Sequence, residues 1–227
     1  MIDTIIVSGG NIQEDFALDF LRKIIKENGR ERLCLIAADR GLDFLIRTGI
    51  KADVAVGDFD SLSENGKAYL KQAADLEIIR LRPEKDDSDT QSAVNYAIGR
   101  GRKKAILLGA TGSRMDHVLA NIGLLTAARE NGMQVIIVDA QNYMTLIESG
   151  TVLEKEQQFG KYVSFFPLGG CVDGLTLKGF YYPLNQYRLR VEDSGLTVSN
   201  EIKDEIAEVT FEAGTLLMIM SQDAPFS

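Results

Sequence analysis

The chain has little of what several protein classes require. It holds two cysteines and one histidine, His117, in 227 residues, with no CxxC pair, which excludes both a disulfide framework and a Cys/His zinc site. It lacks an excess of positive charge. Thirty-three Asp and Glu outweigh 25 Lys and Arg for a formal charge of −8, the reverse of a nucleic-acid binder's footprint, so no nucleic-acid partner is expected. It has no apolar run near the roughly 20 residues that span a bilayer, and the start MIDTIIVSGGN has neither the basic nor the long apolar part of a signal peptide, so the expectation is a cytoplasmic protein with no membrane partner. Low-complexity tracts, a repeat of 20–50 residues and a long linker are also missing. Neither GxGxxG nor GxxxxGK[ST] occurs.

What is present is an ordinary apolar content of 45%, patterned in two ways. Up to residue 140, short apolar runs alternate with helix-period runs. TIIVS precedes DFALDFLRKIIKENG, RLCLIAA precedes GLDFLIRTG, ADVAVGD precedes a helix near 63–74, LEIIRLR precedes a helix from about Ser88 to Arg100, and KAILLGA precedes a helix near 114–130 and the run VIIVD. Apolar strands alternating with helices predict an α/β domain over residues 1–140, its mostly parallel sheet covered on both faces in Rossmann-like fashion. From 141 to 227 the runs TLIESGTVLEKE, YVSFFPLG, GLTLKGFYYPL, YRLRVEDSGLTVSNEI, IAEVTFEAG and TLLMIMS are broken by Gly, Asn, Asp or Pro, which predicts a second, all-β antiparallel domain, a sandwich.

Ligands of open parallel sheets sit beyond the carboxyl ends of the strands. The segments expected there are SGGN (8–11), ADRG (38–41), GDFDS (57–61), PEKDDSD (83–89) and GATGSRMDH (109–117), all built from turn-forming and oxygen-bearing residues. Asp58 and Asp60, one residue apart at a strand end, are expected to share a hard cation, with capping by Asp60 or Ser61 as the alternative. Asp86 and Asp89, three apart at a helix start, fall on one face, while Asp87 points elsewhere. Two acidic pairs at one sheet edge suit Mg²⁺, which binds through a few carboxylates plus substrate phosphates. The glycines of GATGSR, with Lys85 and Arg114, supply phosphate contacts. This is equipment for moving a phosphoryl or diphosphoryl group from a nucleotide. For His117 a structural imidazole is at least as good a reading as a catalytic one.

Taken in order, SGGN, AADRG, GDFDSL, EKDDSDTQ and GATGSRMDH resemble thiamine pyrophosphokinases, and GLTLKGFYYPL and SGLTVSNEI resemble that family's thiamine-binding β domain. The resemblance implies transfer of the diphosphate of ATP to the hydroxyethyl group of thiamine, giving thiamine diphosphate and AMP. It also implies a homodimer with sites shared between subunits. It assigns Asp58, Asp60, Asp86 and Asp89 to Mg²⁺ and the phosphates, and Gly9, Gly10, Asn11 and Asp39 to the nucleotide. Thr111, Gly112, Arg114 and Asp116 close the phosphate side, where Gly41, Ser61 and Lys85 are counted too. Ser199 and Asn200 are placed near the thiamine pyrimidine. Some family members present a tryptophan to the vitamin; this chain has none, and Tyr181, Tyr182 and Tyr187 are the candidates by location. Asp89 or Asp116 is expected to accept the hydroxyl proton. The competing expectations are a pyrophosphokinase for another aromatic alcohol such as a hydroxymethylpterin, a Mg²⁺-dependent phosphohydrolase, and a nucleotide sensor without turnover.

Overall fold

The computed structural model describes residues 1–82, 87–112 and 114–224 and divides into two compact units, Met1–Ala140 and Gln141–Ser227.

In the first unit the apolar runs become strands β1 (Thr4–Val7), β2 (Cys34–Ala38), β3 (Val54–Gly57), β4 (Glu77–Arg80), β5 (Lys104–Leu108) and β6 (Gln134–Val138). They pair in parallel in the order β4-β3-β2-β1-β5-β6. β1, β2 and β3 are buried along their whole length, which is why their sequences are apolar without alternation. The helices between them are α1 (Glu14–Asn28), α2 (Gly41–Thr48), α3 (Glu64–Gln72), α4 (Asp89–Gly99) and α5 (Met115–Glu130). Ser88 caps α4, its hydroxyl accepting from the Gln91 N–H, and the expected start of that helix holds. α3 is capped by Ser63, which accepts from Gly66 N–H, and not by Asp60 or Ser61, so those two side chains are released from capping. After β4 the chain returns to the far side of β1, and the sheet's order reverses between β1 and β5. The loops leaving these two strands diverge there and open a crevice.

The second unit is antiparallel: β7 (Asn142–Ile147), β8 (Thr151–Glu154), β9 (Tyr162–Lys178), β10 (Leu184–Arg190), β11 (Ile206–Thr210) and β12 (Ala213–Ser221), ordered β7-β12-β9-β11-β8 with β10 also on β9. The runs YVSFFPLG and GLTLKGFYYPL, read from sequence as separate, belong largely to one 17-residue strand, β9. Gly169 (φ 78°) and Gly174 (φ 68°) bend it without ending it, and the register to β12 shifts between Ala213 and Thr215. The first half of β9 pairs with β12 and the second half with β10 and β11. SGLTVSNEI forms no strand. It passes through a 3-10 turn (Val191–Leu196) and touches the sheet through single bridges at Asn200 and Ile202. Phe165 and Phe180, edge to face at 5.6 Å, lie in the core beneath.

Candidate active site

Parallel pairing of β2 with β3 sets Ala38 beside Val56, so the residues that follow them emerge side by side. Asp39, Asp58 and Asp60 thereby bring one carboxylate oxygen each within 4.8 Å of one another. The Asp58–Asp60 pair is not extended, as the one-residue spacing suggested. Phe59 sits at φ 63° with its ring buried to 4% exposure, and the Asp60 N–H donates back to Asp58 Oδ1 at 3.1 Å. Asp39 is also left-handed, at φ 47°. Such backbone costs on the order of 1–3 kcal/mol per residue and persists where surrounding contacts enforce it. Here the Asp39 N–H donates to the Val56 carbonyl at 2.9 Å.

The donor set fits a hard divalent cation. Asp39 Oδ2 accepts from the Ser61 hydroxyl at 2.5 Å, while Oδ1 is buried with no partner among the described residues. Among the described residues no Lys, Arg or His forms an ion pair with these three carboxylates, although like charges so close repel without a cation.

Beside the cluster, at the β1/β5 reversal, lies a cleft of about 440 Å³ whose wall includes Asp39. That volume is within the range of small-ligand sites. Of the expected residues, Gly9, Gly10, Asn11, Asp39, Asp89, Gly112 and Arg114 line it. Gly10 approaches Gly109 so closely, with its N–H on the Gly109 carbonyl at 3.0 Å, that a Cβ there would lie 2.3 Å from that oxygen. Asp89 lines the cleft but stands outside the three-carboxylate cluster, and Asp39, given to the nucleotide from sequence, belongs to it. Lys85 and Asp86 lie outside the described residues.

Other expected residues have their groups engaged. The Thr111 hydroxyl donates to Asp139 Oδ2 at 2.5 Å. Arg114 and Asp116, both exposed, form a two-point ion pair at 2.5 and 3.2 Å. The Arg114 hydrogen bond holds the Asp116 carboxyl below its ordinary range, which weakens it as a proton acceptor. Gly41 is buried against the Val7 carbonyl, so it packs the sheet.

In the second unit Asn200 is 1% exposed and its carboxamide is spent on backbone. Oδ1 accepts from Tyr182 N–H (3.1 Å) and Glu201 N–H (2.9 Å), and Nδ2 donates to the Tyr182 carbonyl (2.8 Å). Asn200 thus clamps the turn. Ser199, at φ 56° with its N–H on Ser164 Oγ at 2.9 Å, stays exposed, as do Tyr181 and Tyr182. Accordingly, Asn200→Ala is expected to cost about 2 kcal/mol, since it unpairs two partly buried backbone N–H groups and empties a buried site. Thermal unfolding checks this, and an unchanged melting temperature contradicts it.

The structure adds residues the motifs did not single out. Arg40 lines this cleft and a second one of about 450 Å³ that shares Gly9, Gly10 and Asn11 with it, and its guanidinium has no partner among the described residues. Ser8 and Thr90 join hydroxyls at 2.5 Å between the end of β1 and the start of α4. Asn121 lies one turn beyond His117 on α5, a spacing that signals a shared face, and both line the cleft.

A parallel α/β unit with an acidic cluster and a glycine-walled cleft at its order reversal, followed by an antiparallel unit, defines a group-transfer enzyme acting on phosphates. Comparison with known proteins narrows this. Residues 28–137 match the family "Thiamin pyrophosphokinase, catalytic domain" and residues 150–216 match "Thiamin pyrophosphokinase, vitamin B1 binding domain". The thiamine pyrophosphokinase of Bacillus subtilis is 32% identical over 193 residues, covering 85% of this chain and 89% of that protein. The crystal structure of thiamine pyrophosphokinase from B. subtilis superposes with a TM-score of 0.83 at 30% identity, covering 97% of this chain and 99% of that one. That of a thiamin pyrophosphokinase family protein from Enterococcus faecalis does so at 0.79 and 30% over the same shares. The chain belongs to the thiamine pyrophosphokinase family.

Proposed function

We propose that this chain transfers the β,γ-diphosphate of ATP to the hydroxyethyl oxygen of thiamine, forming thiamine diphosphate and AMP. The observation that carries the chemistry is the Asp39–Asp58–Asp60 cluster, with one buried carboxylate oxygen unpartnered, on the wall of a glycine-lined cleft. These three residues would hold Mg²⁺, and the ion bound there supplies neutralisation of phosphate charge. Asp89, at the first position of α4, faces the same cleft and is the proton acceptor we favour. The acceptor oxygen bonds to the β-phosphorus, the bond from that phosphorus to the α,β-bridging oxygen breaks, and the hydroxyl proton passes to Asp89. The remaining residues align and neutralise, which is most of what such transfer needs. Gly9, Asn11 and Gly112 on the cleft wall would offer N–H groups to the phosphates, and the Arg40 guanidinium, without a partner among the described residues, would supply the positive charge that Arg114 commits to Asp116.

The β unit, which we take to be a sandwich, would present Ser199 to the thiamine pyrimidine on the turn that Asn200 clamps, while the first unit acts as a Rossmann-like nucleotide domain. A homodimer with shared sites would cover the apolar side chains a single chain leaves in solvent: Met115 (66% exposed) and Leu119 (65%) on α5, and Tyr181 and Tyr182 in the second unit. No helix among the described residues is long and apolar enough to cross a membrane, and both cysteines are free, which accords with a cytoplasmic enzyme. Incubated with ATP, Mg²⁺ and a panel of alcohols, the purified protein is expected to make AMP with thiamine and to make none without an acceptor. AMP or phosphate release that ignores thiamine would favour a hydrolase.

A further inference from the structure

The Asn121 side chain is 6% exposed and forms part of the cleft wall. Its Nδ2 donates to the Ala110 carbonyl at 2.8 Å. A carbonyl oxygen can only accept, so this contact fixes which way the carboxamide points. Oδ1 is left with no partner among the described residues. A nine-tenths buried acceptor facing a cleft attracts a donor and rejects another acceptor. Oδ1 therefore takes no phosphate oxygen. Asn121 is also the seventh residue of α5, about 9 Å along the axis from its first at 1.5 Å per residue, whereas the phosphates are drawn to the glycine loops and helix starts. That separation suits the other end of a nucleotide.

We infer that Asn121 reads the purine base and makes the site selective for a 6-amino over a 6-oxo purine nucleotide. This rests on the nucleotide-dependent reading above. A carboxamide offers an acceptor beside an N–H donor, and adenine matches it with the N6 amine beside a ring nitrogen. A 6-oxo purine sets its own carbonyl against Oδ1. A ribose hydroxyl needs no such paired edge.

The test compares ATP with ITP, which differ at the purine 6-position, and with 2′-deoxy-ATP. The native protein is expected to favour ATP over ITP by about 10-fold or more in kcat/KM, and Asn121→Ala to bring that ratio towards one by loss on ATP alone. 2′-Deoxy-ATP is expected to behave as ATP does in both proteins. Because the ratio is taken within one preparation, a partly unfolded variant does not distort it, and Asn121→Ser replaces the alanine variant should that one not fold. Equal use of ATP and ITP by the native protein overturns the inference. So does an equal loss on both nucleotides, or a loss that vanishes with 2′-deoxy-ATP. If no nucleotide yields AMP, the reading of function fails, and calorimetric binding of ATP against ITP still decides the role of Asn121.

Discussion

Asp39→Asn is expected to lower kcat by about 10³-fold while raising thermal stability, the trade-off of a site that holds like charges together. In the native protein Asp39 Oδ1 is buried without a partner among the described residues, and Asp39 stands by the carboxylates of Asp58 and Asp60. Replacing one charge removes like-charge repulsion. It also lets the amide donate to the neighbouring carboxylates while its oxygen still accepts from Ser61. Asparagine tolerates the left-handed backbone at this position. A gain of about 1 kcal/mol, or 2–4 °C in a chain of this size, is expected in metal-free buffer. Activity falls because the cation loses an anionic ligand. Turnover and thermal melts on the same preparation check both halves. Native turnover in the variant removes the cluster from the mechanism, and a lower melting temperature with lost activity means that Asp39 is structural.

The second large effect is steric. A Cβ at Gly41 would lie 1.9 Å from the Val7 carbonyl oxygen and 2.6 Å from its carbon. β1 is a central strand paired on both sides, and α2 begins at Gly41, so neither backbone can give way. Gly41→Ala is expected to cost about 3 kcal/mol or more, or to prevent folding. Gly99→Ala is the control: nothing lies within 4 Å of its added Cβ, and alanine is the better helix residue by about 0.5–1 kcal/mol. Equal melting temperatures for the two variants contradict the packing account.

Periodicity made the first unit legible, since its central parallel strands are apolar throughout and helices such as α1 and α2 are amphipathic. The second was legible only in kind. Gly169 and Gly174 look like the ends of strands because glycine serves turns and bulges alike, and only pairing with β12 on one half and β10 and β11 on the other shows β9 to be continuous. At the site, the crowding of Asp58 and Asp60 was visible. That Asp39 joins them follows from β2 and β3 being neighbours, which no local pattern encodes. Asn200 was ambiguous for a related reason: serine and asparagine look alike whether they face a ligand or tie down a turn, and only the structure shows its carboxamide on the turn backbone. Arg40 stood inside ADRG without being singled out, Asn121 lay outside the quoted loops, and both became visible only as cleft walls.

The most direct measurement follows the diphosphate itself. With ATP labelled at the β-phosphorus, Mg²⁺ and thiamine, the account predicts that the label appears in thiamine diphosphate while the AMP formed alongside carries none, and that a chelator abolishes both products. Label recovered in ADP, or in free diphosphate at a rate indifferent to thiamine, would contradict it.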